Sequence, residues 1–134
     1  MSEVGERIAD HARALIGTRF RLHGRDCATG LDCVGVVLAC LEAAGRPLSF
    51  PAAYGLRNAD IAPWLALVEG IEVPCATRPP LGGDILLVRP GPAQHHLLVA
   101  LGSHSFVHAH ASLRRVVETP FPAPWPLLRH WRLT

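Results

Sequence analysis

The spacing of apolar and polar positions changes midway along the chain. Val4, Ile8, Ala12, Leu15 and Ile16 recur every three to four residues, with Arg7, Asp10 and Arg13 on other faces. This predicts an amphipathic helix over residues 2–16, with Gly17 as its stop. Residues 18–30, TRFRLHGRDCATG, hold no period and are punctuated by Gly24 and Gly30, which predicts irregular structure. Residues 31–45, LDCVGVVLACLEAAG, are apolar on nearly every side. A helix of that kind is a buried one. Val34, Val36 and Val37 leave a buried strand open, but the length and the flanking Asp32 and Gly45 favour a helix.

Residues 46–57 form a proline-bearing loop with the single tyrosine, Tyr54. A second short helix is expected over residues 58–69, with Ile61, Trp64, Leu65 and Val68 on one side. A short strand is expected over 71–75, and a turn over 77–83. From Asp84 onward the period shortens. The runs DILLV (84–88), LLVAL (97–101), SFVH (105–108), RRVVE (114–118) and LRHWRL (128–133) read as strands. Helices first and strands after predict an α+β domain, with one antiparallel sheet and helices on one side.

Composition narrows the function classes. The chain has 134 residues, of which 49% are hydrophobic and 18% charged. That fits one domain, residues 1–134, with a real core, and argues against disorder or a repeat array. No apolar run reaches the roughly 18 residues of a membrane span. The first residues lack the pattern of a secretory signal. Synthesis in the cytoplasm, without a signal peptide or membrane span, is therefore expected. The formal charge of +2 makes no case for nucleic acid. All 13 basic side chains are Arg, which carries no functional weight.

The 8 histidines and 4 cysteines raise two alternatives, a metal site or a catalytic base. No CxxC pair occurs, and a zinc site from His95, His96, His108 and His110 lacks HExxH spacing. Cys27 falls in a loop and Cys40 in mid-helix. Cys33 falls in the first helical turn, where the macrodipole and free N–H groups are expected to lower a thiol pKa. A cysteine nucleophile needs a base and an orienting group. If 97–101 and 105–108 form a hairpin turning at 102–104, His96 and His108 lie nearly opposite each other. His96 is then the base and His108 its orienter. His11, His95, His104, His110 and His130 are read as solvated or structural.

These residues resemble a known family. The stretch 14–37, ALIGTRFRLHGRDCATGLDCVGVV, is similar to the nucleophile region of NlpC/P60 cysteine peptidases. The second half, LGGDILLV…HHLLVALGSHSFVHAH, is similar to that family's G-D-L strand, catalytic-histidine strand and following F-x-H-A strand. The matches run in order over about residues 5–118. GLDCVG with its preceding GRD segment resembles the small phage-type or gene-transfer-agent-type members. The resemblance implies a papain-like α+β fold with the nucleophile at the start of a buried helix. It implies Cys33 as nucleophile, His96 as general base, His108 as third residue, and Asp32 as an acidic neighbour shaping substrate contacts. It also implies hydrolysis of peptidoglycan stem peptides, typically the γ-D-glutamyl–diaminopimelate bond, with no metal or organic cofactor. The expected place of action is the cell wall, with phage-like tail proteins as partners.

Three positions depart from the family pattern. Phe20 stands in place of Tyr, Val34 in place of the Ser after the nucleophile, and His23 in place of one Gly of a pair. With Asp32 they form the expected substrate-contacting set. Three alternatives stay open: a tail assembly protein with little turnover, a cysteine amidase or acyltransferase on another acyl substrate, and a zinc-binding module.

Overall fold

A computed structural model describes residues 2–48, 70–73, 79–92 and 94–134. The helix expected over 58–69, Tyr54 and Cys75 lie outside the described residues.

Helix α1 spans Glu3–Leu15 and is capped by Ser2, whose Oγ accepts the Gly5 N–H. The same hydroxyl donates to the Leu133 carbonyl at 2.9 Å, tying the helix start to the last strand. Helix α2 spans Cys33–Ala43, with Asp32 as its cap. It ends at Gly45, whose φ of +78° is the left-handed turn that glycine adopts without strain. The strand alternative for this segment is therefore excluded.

Between the helices lies an unforeseen two-stranded ribbon, β1 (Arg25–Asp26) and β2 (Gly30–Leu31). Its strands are two residues each, too short for any periodicity to reveal. The remaining strands are β3 (Gly70–Glu72), β4 (Ile85–Gly91), β5 (Gln94–Ala100), β6 (Ser105–His110), β7 (Arg115–Pro120) and β8 (Leu127–Leu133). They form one sheet in the order β3-β8-β4-β5-β6-β7, antiparallel throughout. This is the expected α+β architecture. Two boundaries differ from the sequence reading. β4 runs on through Pro90 because an irregularity between Val88 and Gly91 relieves the proline of a ladder bond. β5 starts three residues early, so His96 lies inside the strand rather than at its start.

The sheet is covered on both faces. Leu97, Val99, Val107 and Ala109 pack with Ile8, Ala12, Val37 and Leu41 of the helices. On the other face Leu86, Val88, Leu98 and Phe106 meet Phe121, Ala123 and Trp125. The proline-rich segment before β8 thus acts as a lid on a face that the sequence reading left uncovered. Its prolines break any periodicity, so its packing role had no pattern to betray it.

Two glycine contacts fix the helices. A Cβ on Gly35 of α2 would fall 2.2 Å from the Gly24 carbonyl oxygen, and one on Gly83 would fall 2.2 Å from the Gly5 carbonyl oxygen. The loop before β1 therefore rests directly on α2, and α1 rests on the turn before β4. Behind that turn Asp84 and His130 are buried together, each 1% exposed. His130 Nε2 lies 2.5 Å from Asp84 Oδ2, and Arg132 donates to both oxygens. Burial alone would raise the Asp84 carboxyl. The hydrogen bonds from His130 and Arg132 outweigh it and hold the group below its ordinary value. His130 is thus structural, a tie between β8 and the turn before β4.

Candidate active site

The cap of α2 sets the candidate nucleophile. Asp32 Oδ1 accepts the Gly35 N–H at 2.8 Å and a guanidinium N–H of Arg25 at 2.8 Å. Its Oδ2 accepts the His23 N–H at 2.8 Å. One buried carboxylate therefore joins the helix start, the β1 ribbon and the loop carrying His23. Cys33 follows it at the first helical position. Backbone N–H groups of Leu97, Val34 and Cys33 itself favour its thiolate, and α2 packs against β5, the strand that carries His96.

β5 and β6 bring the histidines together, on a diagonal rather than nearly opposite. The ladder pairs Val99 with Val107 and Ala100 with Phe106. Carried on, this register sets His108 opposite Leu98, so His96 lies on the diagonal. A diagonal pair remains within reach of long or ring side chains. His96 Nε2 lies 2.8 Å from His108 Nδ1. A second diagonal continues the chain of contacts: His108 Nε2 lies 3.0 Å from the Thr119 hydroxyl on β7. Thr119 was invisible in sequence, since an alternating strand residue carries no mark of its partner.

Cys33, His96 and His108 line one cleft of about 500 Å³. Phe20, His23, Asp32 and Val34 line it as well. So do His95 and His110, which the sequence reading set aside, and Trp125. Trp125 stands edge-on to both catalytic-type rings, with centroids 5.7 Å from His96 and 5.8 Å from His108. Its place follows from the lid segment, so it too escaped sequence reasoning. Cys27 is exposed and Cys40 is buried in the core. Among the described residues no group of three or more His, Cys, Asp or Glu is arranged to hold a metal ion.

No protein-family model matches the chain, and no curated protein matches it. Solved structures do. NlpC2 from Trichomonas vaginalis is 18% identical with a TM-score of 0.73, over 98% of this chain and 48% of that one. The NlpC/p60 domain of the peptidoglycan hydrolase SagA is 23% identical with a TM-score of 0.62, over 87% and 88%. The peptidoglycan hydrolase RipB from Mycobacterium tuberculosis is 20% identical with a TM-score of 0.64, over 96% and 63%. The chain has the NlpC/P60 fold. It spans about half the length of the Trichomonas proteins NlpC1 and NlpC2.

Within this NlpC/P60 fold the electrostatics differ from the sequence expectation at Cys33. The helix start was expected to lower the thiol pKa. Burial instead pushes it up to about 12, against the backbone N–H groups that pull it down, and the Asp32 charge adds to the rise. Desolvation outweighs the dipole because Cys33 is only 5% exposed. Burial also pushes His96 down to about 3, with His108 and His110 adding to it. His108 falls to about 4 through burial and the neighbouring His110. The resting site is therefore a neutral thiol beside neutral imidazoles.

That neutrality assigns the protons. If Nδ1 of His96 is to accept a proton, Nε2 carries hydrogen and donates to His108 Nδ1. His108 then donates from Nε2 to the Thr119 hydroxyl. Each ring nitrogen has one role, and the chain of contacts points one way.

His23 has a φ of +58°, in the left-handed region that glycine enters freely and other residues enter at a cost. The NlpC/P60 pattern has glycine there. In this chain the Asp32 bond to the His23 N–H holds the strained backbone and sets an imidazole at the cleft wall.

Proposed function

We propose that this protein is a cysteine peptidase that hydrolyses peptidoglycan stem peptides, at the γ-D-glutamyl–diaminopimelate bond. The observation that carries this reading is the single cleft shared by Cys33, His96 and His108, with the two rings hydrogen-bonded. Two peptidoglycan hydrolases of the same fold, SagA and RipB, support the substrate class.

In this mechanism the Cys33 sulfur attacks the amide carbon while His96 Nδ1 takes the thiol proton. Proton transfer and attack are coupled, since a free thiolate is costly at a buried sulfur. The new C–S bond leaves a tetrahedral oxyanion, held by backbone N–H groups at the start of α2. The His96 imidazolium donates its Nε2–H to His108, which spreads the positive charge. It then protonates the leaving amine as the C–N bond breaks. Water deprotonated by His96 attacks the thioester and releases the acid and the Cys33 thiol.

The test is cleavage of purified muropeptides, read by mass spectrometry. Wild type is expected to release the two fragments and Cys33→Ala to release none. Equal release by both would overturn the assignment. Phe20 and Val34 give one cleft wall an apolar character, which favours a second reading, an amidase or acyltransferase on a more apolar acyl substrate. The same screen run with acyl-amide substrates distinguishes it. The phage-like tail setting rests on the resemblance of GLDCVG, and co-purification with tail proteins tests it.

A further inference from the structure

His110 lies outside the chain of contacts described above, yet it lines the same cleft. It closes β6, two residues beyond His108 and on the same face of the strand, with ring centroids 5.5 Å apart. Its Nδ1 accepts the Leu113 N–H at 3.2 Å. A nitrogen that accepts a backbone N–H carries no hydrogen of its own, so the ring proton sits on Nε2. His110 is therefore a donor of fixed tautomer, braced by the turn that follows it.

The rest of the cleft says what such a donor meets. Beside the nucleophile, Phe20 and Val34 are apolar and offer no side-chain donor. Among the described lining residues the sole carboxylate is Asp32, and its oxygens already hold Gly35, His23 and Arg25. The lining also carries the imidazoles of His23, His95, His96, His108 and His110. The cleft is thus short of negative charge and supplied with donors, the complement of an anionic ligand.

We propose that His110 Nε2–H binds a carboxylate of the substrate and selects for it. This rests on the peptidase reading above. In a γ-linked glutamyl peptide the α-carboxylate stays free, one short side arm from the scissile amide, and it is the group assigned to His110. Replacing that carboxylate with a carboxamide removes the charge and weakens the acceptor.

The experiment uses Cys33→Ala, which binds without turnover, and two synthetic stem peptides. One carries the free α-carboxylate of the γ-linked glutamate, and the other the carboxamide at the same atom. Calorimetry on the parent is expected to favour the free acid by about 10- to 100-fold, the range of a hydrogen bond to a charged group. Adding His110→Asn keeps an acceptor at the Nδ1 position and deletes the Nε2 donor. It should abolish the preference with the thermal midpoint unchanged. His110→Gln places a donor near the Nε2 position without the turn bond. It should keep a partial preference with a lower midpoint.

An undiminished preference in His110→Asn would overturn the assignment while leaving the peptidase reading intact. A parent that binds the two peptides equally well would do the same. Binding of neither peptide by the parent would overturn the substrate reading, and the role of His110 with it.

Discussion

Acidifying the protein from pH 6.5 to pH 5 should destabilise it by about 3 kcal/mol through two side chains. His96 is held near 3 and His108 near 4, both below the ordinary value of 6.5. As the pH falls through 6.5 the unfolded chain takes up a proton on each ring, and the folded chain takes up neither until about 4. Protons in that window therefore favour unfolding. Each ring contributes about 1.6 kcal/mol between the two pH values, and the pair about twice that. Against a total stability of about 5–15 kcal/mol this is a large fraction. It corresponds to a fall in thermal midpoint of about 10 °C for a chain of this length. The Asp84 carboxyl does not contribute, since its shift acts below the ordinary value of 3.8. The assay is calorimetry at both pH values on wild type and on the His96→Asn/His108→Asn double variant. The variant should lose most of the pH dependence. An equal fall in both proteins, or a flat midpoint in wild type, would refute the burial argument.

Thr119→Val should lower kcat by about five- to tenfold with little change in KM, the worth of one neutral hydrogen bond; Thr119→Ser should restore it in steady-state kinetics. Asp32→Ala removes the α2 cap and leaves the Arg25 guanidinium without its carboxylate, and should cost about 3 kcal/mol in urea melts. Gly83→Ala should cost more than about 2 kcal/mol by the same measurement, because its Cβ would strike the Gly5 backbone and its φ is +88°. Iodoacetamide at pH 7 should label the exposed Cys27 well before Cys33, as followed by peptide mass spectrometry; Cys33 labelling should accelerate as the pH rises toward about 12.

Much of the fold was legible because its devices are local. Asp32 and Gly45 bracket α2 as cap and stop, and the three-to-four spacing of Val4, Ile8, Ala12 and Leu15 marks α1. The short strand-like runs 97–101 and 105–108, separated by a turn, place the β5–β6 hairpin, and with it the two catalytic-type rings. What stayed hidden depends on pairs distant in sequence. Thr119 and Trp125 reach the histidines through the β6–β7 register and the lid segment, neither of which has a periodic signature. The thiol pKa was misjudged for a similar reason. The helix dipole can be read at one position, whereas desolvation depends on everything packed around it. His110 looked like a surface residue because its turn bond to Leu113 is a matter of geometry.

In the proposed mechanism, imidazole at the third position changes how charge moves during turnover. A carboxylate there would make the base and its orienter negative at rest and neutral once the base is protonated. With His108, the two rings are neutral at rest and cationic while the oxyanion stands, so each catalytic cycle separates charge across the cleft without changing its total. The protein's own groups would otherwise sustain that separation alone, whereas a bound anion beside the rings would stabilise their cationic form. Such a substrate would lower the barrier as well as fill the site, so that loss of its negative charge should slow the chemical step itself.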